Sequence, residues 1–335
     1  MEALELQQQL FGYLKSIQPV HLSLADELAQ LLNLSYDSVY RRIRGEKPLT
    51  LSELKTICSH YRISLDQVLQ LQNDTILFRD HSNNSEHKDF GKYLDGILSQ
   101  VQYFNRFNRK QLLYLCKDAP IFHFFHIKEL ASFKVFFWVK SIWNLPEYRG
   151  KSFSVAEYPY DEYFLKGRKI IDEYNNIPSV ELWNMESINS TISQIKYYAD
   201  AGVFASADDL VMIAEALEAT LQHLEAQTEL GVKFAIGSGD TGHRAPLKFY
   251  VNEIILGNNT ILFENETTKL AFITHSTMDY ISSTDSRFVA KVFANFNNLL
   301  SRSVLISESG EKERQKFFRT CREKIQDCKK FALSY

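Results

Sequence analysis

The strongest constraint on the fold is a pattern of helix signals within residues 23–69. Apolar residues at helical spacing from Leu24 to Leu32 predict one amphipathic helix. A break at Asn33-Leu34 separates this helix from a second, basic helix, which Gly45 ends. Further apolar positions follow at helical spacing. Residues 23–69 are therefore expected to form four short helices around one small core.

Hydroxyl side chains mark the starts of these helices. Ser23, Thr50 and Ser64 each stand three residues before an acceptor side chain, which is the spacing of a capping box. Ser35 is placed to cap the second helix in the same way. These caps support the four-helix prediction, because each of them satisfies backbone N–H groups that a helix start leaves unpaired.

Residues 20–71 resemble the phage-repressor-like (XRE-type) helix-turn-helix domain. Ala29 stands at the small position where the two helices cross, Leu34 at the apolar position after the turn, and Val39 in the middle of the second helix. The resemblance covers about one sixth of the chain. It implies a transcription regulator whose second helix enters the major groove of double-stranded DNA, while the first helix braces against the DNA backbone.

Two positions depart from the pattern of that family. Asn33 occupies the turn position that usually holds Gly, and Asn adopts the left-handed conformation more easily than most residues. Arg42 occupies the later apolar position of the second helix, with Ile43 beside it. This second departure predicts a slight rotation of the helix.

The direction of the second helix assigns roles to its residues. Residues 36–38, at its N-terminus, are expected to face base edges. Arg41, one turn later, is placed for guanine or for phosphate, whereas Arg44 and Lys47 are placed to hold phosphates. Tyr40 either touches a thymine methyl group or packs beneath the helix. The predicted DNA-binding set is Ser35, Tyr36, Asp37, Ser38, Tyr40, Arg41, Arg42, Arg44 and Lys47.

Charge leaves a second interpretation open. Residues 1–75 carry seven Lys or Arg and nine Asp or Glu, a net charge of −2, so this domain lacks the overall basic character of a nucleic-acid binder. Residues 41–47 nonetheless carry a net charge of +3. DNA binding is the prediction. The alternative is a protein-interaction module of the toxin–antitoxin kind, whose second helix docks on protein.

Segment patterns predict a cytoplasmic protein without a membrane span. The first residues are acidic and amphipathic, unlike a secretory signal. The most apolar run, residues 122–143, is interrupted by charged and His side chains, so it is not expected to cross a membrane. Four cysteines without paired spacing fit a reducing compartment.

The chain is predicted to contain a helix-turn-helix domain followed by a larger body. The predicted segments are a helix-turn-helix domain over 1–75, a linker over 76–88, a helical middle domain over 89–231 and an α+β C-terminal sensing or dimerisation domain over 232–335. The fold class is therefore mainly α with a small antiparallel β meander. The last part resembles the uncharacterised C-terminal bodies of bacterial helix-turn-helix regulators.

Apolar spacing and turn residues predict the elements of this body. The predicted helices cover residues 89–117, a buried segment from about Ile127 to Trp143 with an extended piece before it, then 180–201, 207–230, 285–302 and 311–332. The predicted strands cover residues 232–236, 247–256, 260–265 and 269–276, of which the last three form the meander.

Three features invite a chemical interpretation. His123 and His126 lie in an aromatic stretch over 121–143 without supporting ligands, so core histidines are predicted and no metal site. The aromatic side chains fit a core, a ligand cavity or a dimer face. Residues 237–242 match G-x-G-x-x-G but lead into a strand, so a flexible loop, as a lid over an effector pocket, is predicted rather than a dinucleotide cofactor site. Burial is predicted for Cys321 and Cys328.

No motif of a known catalytic constellation occurs in the sequence, so the chain is not predicted to be an enzyme and no cofactor is expected. A cryptic enzyme tethered to a DNA-binding head remains the further alternative. A lone head of this kind binds DNA weakly, so we expect a homodimer held by the body. A small-molecule or peptide effector is then expected to favour one spacing of the two heads.

Overall fold

The computed structural model describes residues 3–17, 23–61, 63–64, 76–81, 88–237, 245–254 and 257–333. These form two compact units, Met1–Leu77 and Phe78–Tyr335. The class is α+β, which confirms the predicted fold class. The predicted fourth helix near Leu65 and the loop that follows Gly237 lie outside the described residues.

The N-terminal unit is a helical bundle. Its described helices are α1 (Ala3–Ile17), α2 (Leu24–Leu32), α3 (Tyr36–Ile43) and α4 (Leu51–Tyr61). They share one small core, to which Leu14, Leu28, Val39 and Ile57 each contribute a buried side chain. Helix α1 was not predicted, although its apolar residues follow helical spacing.

The described strands of the larger unit form one mixed sheet of eight strands. The strands are β1 (Arg79–Asp80), β2 (Lys110–Cys116), β3 (Ser179–Asn184), β4 (Leu247–Asn252), β5 (Thr260–Asn265), β6 (Lys269–Thr274), β7 (Tyr280–Ser283) and β8 (Val304–Leu305). Their order is β1-β7-β6-β5-β2-β3-β4-β8. Strands β2, β3 and β4 are parallel to one another, and the other neighbours pair antiparallel.

Helices connect and cover these strands. They are α5 (Phe90–Asn105), α6 (Ile121–Phe124), α7 (Lys128–Phe137), α8 (Asp161–Tyr174), α9 (Asn189–Asp200), α10 (Ala207–Leu230), α11 (Ser286–Leu300) and α12 (Glu311–Leu333). A π-helical turn, Trp138–Ile142, continues α7. Ser206 caps the start of α10 by accepting from the Asp209 amide, and Gly231, with φ 65°, caps its end.

Both faces of the sheet are buried at its central strands. Leu112 and Tyr114 of β2 belong to the main core, which α5, α7 and α10 share. Leu113, between them, faces the other side and belongs to a second core with Val289 and Phe293 of α11. A strand buried on both faces is a nearly continuous apolar run, without the alternation that identifies a half-exposed strand.

This double burial explains two wrong helix predictions. The predicted helix over 89–117 ends at Asn105, and residues 110–116 form β2 instead. The predicted helix over 180–201 begins only at Asn189, because residues 179–184 form β3, in which every residue is buried. In both segments the apolar run fitted a helix face as well as a buried strand.

The predicted division of the larger unit at residue 231 is also corrected. Strands β2 and β3, from the predicted middle domain, pair with β5 and β4 in a single sheet. The meander consists of β5, β6 and β7, whereas β4 lies between β3 and β8. Residues 232–236 form only an isolated bridge, from Val232 to Pro246.

The positions of several other predicted elements, and the burial of four predicted core residues, are confirmed. Strand β5, helices α10, α11 and α12, and the helix that begins near Ile127 lie where they were expected, although the piece before it is the short helix α6. His123, His126, Cys321 and Cys328 are buried. Among the described residues, no His, Cys, Asp and Glu group has the arrangement of a metal site, and no helix is long and apolar enough to span a membrane.

Two helical glycines give a matched test of core packing. A Cβ at Gly167 of α8 would lie 2.1 Å from a ring carbon of Phe125, whereas a Cβ at Gly96 of α5 would meet no atom within 4 Å. We expect Gly167→Ala to lower the free energy of unfolding by about 1–3 kcal/mol through overpacking. Gly96→Ala should raise it by roughly 0.5–1 kcal/mol.

The measurement is urea unfolding followed by tryptophan fluorescence. All three tryptophans, Trp138, Trp143 and Trp183, lie in the larger unit, so the signal reports that unit alone. Equal effects of the two substitutions would contradict the packing described for Gly167.

Candidate nucleic-acid interface

The turn between α2 and α3 has the geometry of a helix-turn-helix. Ser23 accepts a hydrogen bond from the Asp26 amide at 3.4 Å and caps α2. Asn33 ends that helix in the left-handed conformation, with φ 52°, as the sequence predicted. The next amide, of Leu34, donates to the Ala29 carbonyl at 3.0 Å. The turn therefore depends on a residue that tolerates positive φ.

Helix α3 presents most of the predicted DNA-binding residues to solvent. Ser35 caps the helix by accepting from the Ser38 amide at 3.3 Å. The exposed members of the predicted set are Ser35, Tyr36, Asp37, Arg41, Arg44 and Lys47, whereas Ser38 and Tyr40 are half-buried. These eight side chains lie on one short helix and the turn after it.

Tyr36, Tyr40 and Arg44 form a row along the outer face of α3, each four residues from the next. The tyrosine hydroxyls are 3.0 Å apart and the two ring centroids 4.6 Å apart. The Arg44 guanidinium lies 5.7 Å from the centroid of the Tyr40 ring. Tyr40 thus packs between its two neighbours, which favours a supporting role over direct contact with a base.

The exposed arginines of α3 are only weakly neutralised. Arg41 and Arg44 each lie 3.6 Å from a carboxylate oxygen of Glu46, and both side chains are more than half exposed. Exposed ion pairs of this kind contribute about 0–1 kcal/mol. A phosphate group can therefore replace Glu46 at little cost.

Arg42 does not belong to this surface, which corrects its place in the predicted set. Its side chain is 4% exposed and points to α4. Its Nη2 lies 2.7 Å from Oε1 of Glu53, its Nε donates to Oε2 at 3.2 Å, and its Nη1 donates to the Ser38 carbonyl at 3.0 Å. The position that is apolar in the family still faces inward, but here a bidentate ion pair satisfies it.

Glu53 is also half of a capping box at the start of α4. The Thr50 amide donates to Oε2 of Glu53 at 2.8 Å, and the Glu53 amide donates to the Thr50 hydroxyl at 3.2 Å. Burial raises the pKa of Glu53, but hydrogen bonds from Arg42 and Thr50 outweigh it and hold the pKa below its ordinary value. This confirms the predicted box and joins it to α3.

Helix α1 fixes the segment that follows α3. The amide group of Gln7 donates to the carbonyl of Arg42 at 2.7 Å and to that of Lys47 at 2.9 Å, and its Oε1 accepts from the Leu49 amide at 2.7 Å. Gln7 was not among the predicted site residues, because no helix was expected before residue 23. The apolar spacing of Leu10 and Leu14 was the available signal.

The comparisons with known proteins agree with this geometry. Residues 18–84 match the family model described as the BetR domain, a helix-turn-helix-like DNA-binding domain family. The match covers 67 of the 335 residues and begins after α1. No curated protein and no solved structure shows significant similarity to the chain. The N-terminal unit therefore carries a helix-turn-helix domain of a DNA-binding kind.

Because Arg42 faces inward and Arg41 is exposed, substitution of Arg42 should lower stability more than substitution of Arg41. At neutral pH, Arg42→Met should destabilise the N-terminal unit by roughly 1–3 kcal/mol, because it leaves the Glu53 carboxylate unpaired. Arg41→Met should change stability by less than about 0.5 kcal/mol. Hydrogen–deuterium exchange of α3 and α4 in the whole chain measures both.

The same pair predicts a pH dependence. Since the folded-state pKa of Glu53 is lowered, its contribution is present above the unfolded pKa of about 4.3 and is lost as pH falls through the folded value. The difference in stability between wild type and Arg42→Met should therefore become smaller below about pH 4. A difference that stays constant down to pH 3 would contradict this role of Glu53.

A second prediction concerns Gln7. Replacing it with Ala removes three hydrogen bonds to the segment after α3, so exchange of the Leu49 amide should accelerate roughly 5- to 150-fold, which corresponds to about 1–3 kcal/mol. Gln8→Ala, at an exposed position of the same helix, is the matched control and should leave this amide unchanged. Equal rates in the two variants would exclude a clamping role for Gln7.

Proposed function

We propose that this protein is a sequence-specific DNA-binding transcription regulator of the phage-repressor-like (XRE-type) class, and not an enzyme. One observation carries the proposal: α3 separates its arginines by role. Arg42 points inward and fixes the helix, while Arg41 and Arg44 remain on its outer face. The match of residues 18–84 to a family of DNA-binding domains supports the same function.

In this proposal the N-terminal end of α3 meets base edges in the major groove. Tyr36 and Asp37 are exposed there, and Arg41, one turn later, reaches guanine. Arg44 and Lys47 hold phosphates and fix the register of the protein on DNA. The exposed Ser35, at the helix start, contributes a phosphate contact together with the first backbone N–H groups of α3.

The larger unit serves as a body for effector sensing or oligomerisation. A single head with a few phosphate contacts binds DNA weakly, so a homodimer across two half-sites about 34 Å apart brings the affinity into a useful range. A homodimer is two-fold symmetric, and its operator is then an inverted repeat. The proposed location of this regulator is the cytoplasm.

The test is selection of genomic fragments by the purified whole chain at two salt concentrations. Wild type should recover a discrete inverted repeat, and Arg41→Ala/Arg44→Ala should lose it. Loss of Arg41 alone should cost about 1–3 kcal/mol and relax the preference for one base, because a bidentate contact to guanine is removed.

Lys15→Ala is the matched control for charge. Lys15 lies on α1, eleven residues after Leu4, whose side chain approaches Gly45, and this places it roughly 16 Å farther along the helix. The control should select the same fragments as wild type. If wild type and the double variant retain the same unselected DNA, the head is a protein-docking module and the proposal is wrong.

A further inference from the structure

The larger unit contains a cavity that the proposed DNA-binding surface does not use. It lies between α5, the α7 region and the strands β2, β5 and β6, and its volume is about 140 Å³. Eight aromatic side chains contribute to its wall, among them Phe104, Tyr114, Phe124, Trp138, Phe272 and Tyr280. An apolar cavity of about 150 Å³ admits a molecule the size of benzene.

A buried ammonium group lines this cavity. Lys134 of α7 is 3% exposed, and its Nζ donates to Oε1 of Gln194 at 2.7 Å and to the Thr191 hydroxyl at 3.4 Å. The Nζ also lies 4.2 Å from the centroid of the Phe124 ring and 5.1 Å from that of Trp138. All of these partners are neutral. Burial lowers the pKa of Lys134 to about 7.

A buried ammonium without a paired carboxylate is costly, and an anion brought by a ligand offsets that cost. Within the described residues, Lys134 forms no ion pair. Asp118 lines the same cavity and raises the pKa of Lys134, but it is only half-buried and lies beyond ion-pair distance. Of these two charged groups, Lys134 is the more deeply buried, so the cavity favours a negatively charged ligand.

Two tyrosine hydroxyls add hydrogen-bond donors to the aromatic wall. Tyr93 and Tyr114 both line the cavity, and burial raises the pKa of each hydroxyl, so both remain protonated donors. A carboxylate has two acceptor oxygens and takes hydrogen bonds from an ammonium and from a hydroxyl group together. An aromatic ring matches the remaining wall in size and in its preference for edge and face contacts.

We propose that this cavity binds a small aromatic carboxylate, with the carboxylate at Lys134 Nζ and the ring among the aromatic side chains. The use of this ligand as a regulatory effector rests on the proposed function. Binding of the ligand does not rest on the proposed function and is measured without DNA. Failure of the ligand proposal is therefore distinguishable from failure of the DNA-binding proposal.

The test is calorimetric titration of the whole chain at pH 6, where Lys134 is charged, with three ligands of one size. These are benzoate, benzyl alcohol and benzylamine, which differ in the charge of one group. Benzoate should bind at least about tenfold more tightly than the other two, since a hydrogen bond to a charged group contributes about 1.5–3 kcal/mol. In Lys134→Met, benzoate should bind no more tightly than benzyl alcohol.

Lys140→Met is the matched control variant. Lys140 lies on the π-helical turn after α7, and its Nζ donates to the Tyr148 carbonyl at 2.7 Å, away from the cavity wall. This variant should bind benzoate as wild type does. A wild type that binds all three ligands equally, or prefers the amine, overturns the proposal, and so does undiminished benzoate binding by Lys134→Met.

A second variant keeps the proposal testable if Lys134→Met does not fold. Phe272→Trp fills the cavity and leaves Lys134 in place. It should weaken benzoate binding by on the order of tenfold or more, because the enlarged side chain occupies the volume of the ring. Benzoate binding at wild-type strength in this variant would place the ligand elsewhere and overturn the proposal.

Discussion

The larger unit depends on one buried carboxylate, that of Glu181 in the middle of its sheet. The side chain is 0% exposed and accepts hydrogen bonds from the Tyr174 hydroxyl at 2.5 Å, from Trp183 Nε1 at 2.7 Å and from His123 Nε2 at 3.2 Å. Burial raises its pKa, but His123 and the hydrogen bonds outweigh burial and hold the pKa below its ordinary value. Because an unpaired buried carboxylate is costly, the packing of α6, α8 and β3 is linked to one charge.

A buried cation, Lys233, contacts the same tyrosine, Tyr174, that donates to this carboxylate. The ammonium of Lys233 donates to the Tyr174 carbonyl at 2.6 Å, to the Ile177 carbonyl at 2.5 Å and to the Ser179 hydroxyl at 2.7 Å. It also lies 3.5 Å from the centroid of the Tyr174 ring, and burial lowers its pKa. Lys233 therefore satisfies backbone carbonyls at the end of α8 and before β3, and Tyr174 joins the two charged groups. The segment after α10 is held at the sheet by polar contacts, which explains why residues 232–236 lie there without forming a strand.

Local signals in the sequence were sufficient to predict an element whose two ends are marked by residues beside them. The predicted bounds of α10, residues 207–230, and of β5, residues 260–265, agree with the structure to the residue. Local signals were insufficient for β3, since its central Glu181 resembles the polar face of a helix. The partner that makes this charge compatible with a buried strand is His123, 58 residues earlier in the chain. The prediction of β3 failed mainly because the partner of Glu181 is distant in the sequence, and less because of the composition of the strand.

The candidate site shows the same limit on a smaller scale. Sequence alone placed the caps, the turn at Asn33 and the outer face of α3, because each is defined within a few residues. It could not distinguish Arg42 from Arg41, since the distinction is made by Glu53, eleven residues later. The core of the N-terminal unit is small, so the position of α3 rests largely on the Arg42–Glu53 pair and on Gln7. The fold of the unit thus depends on Arg42, which is buried, whereas Arg41 and Arg44 remain exposed at the surface.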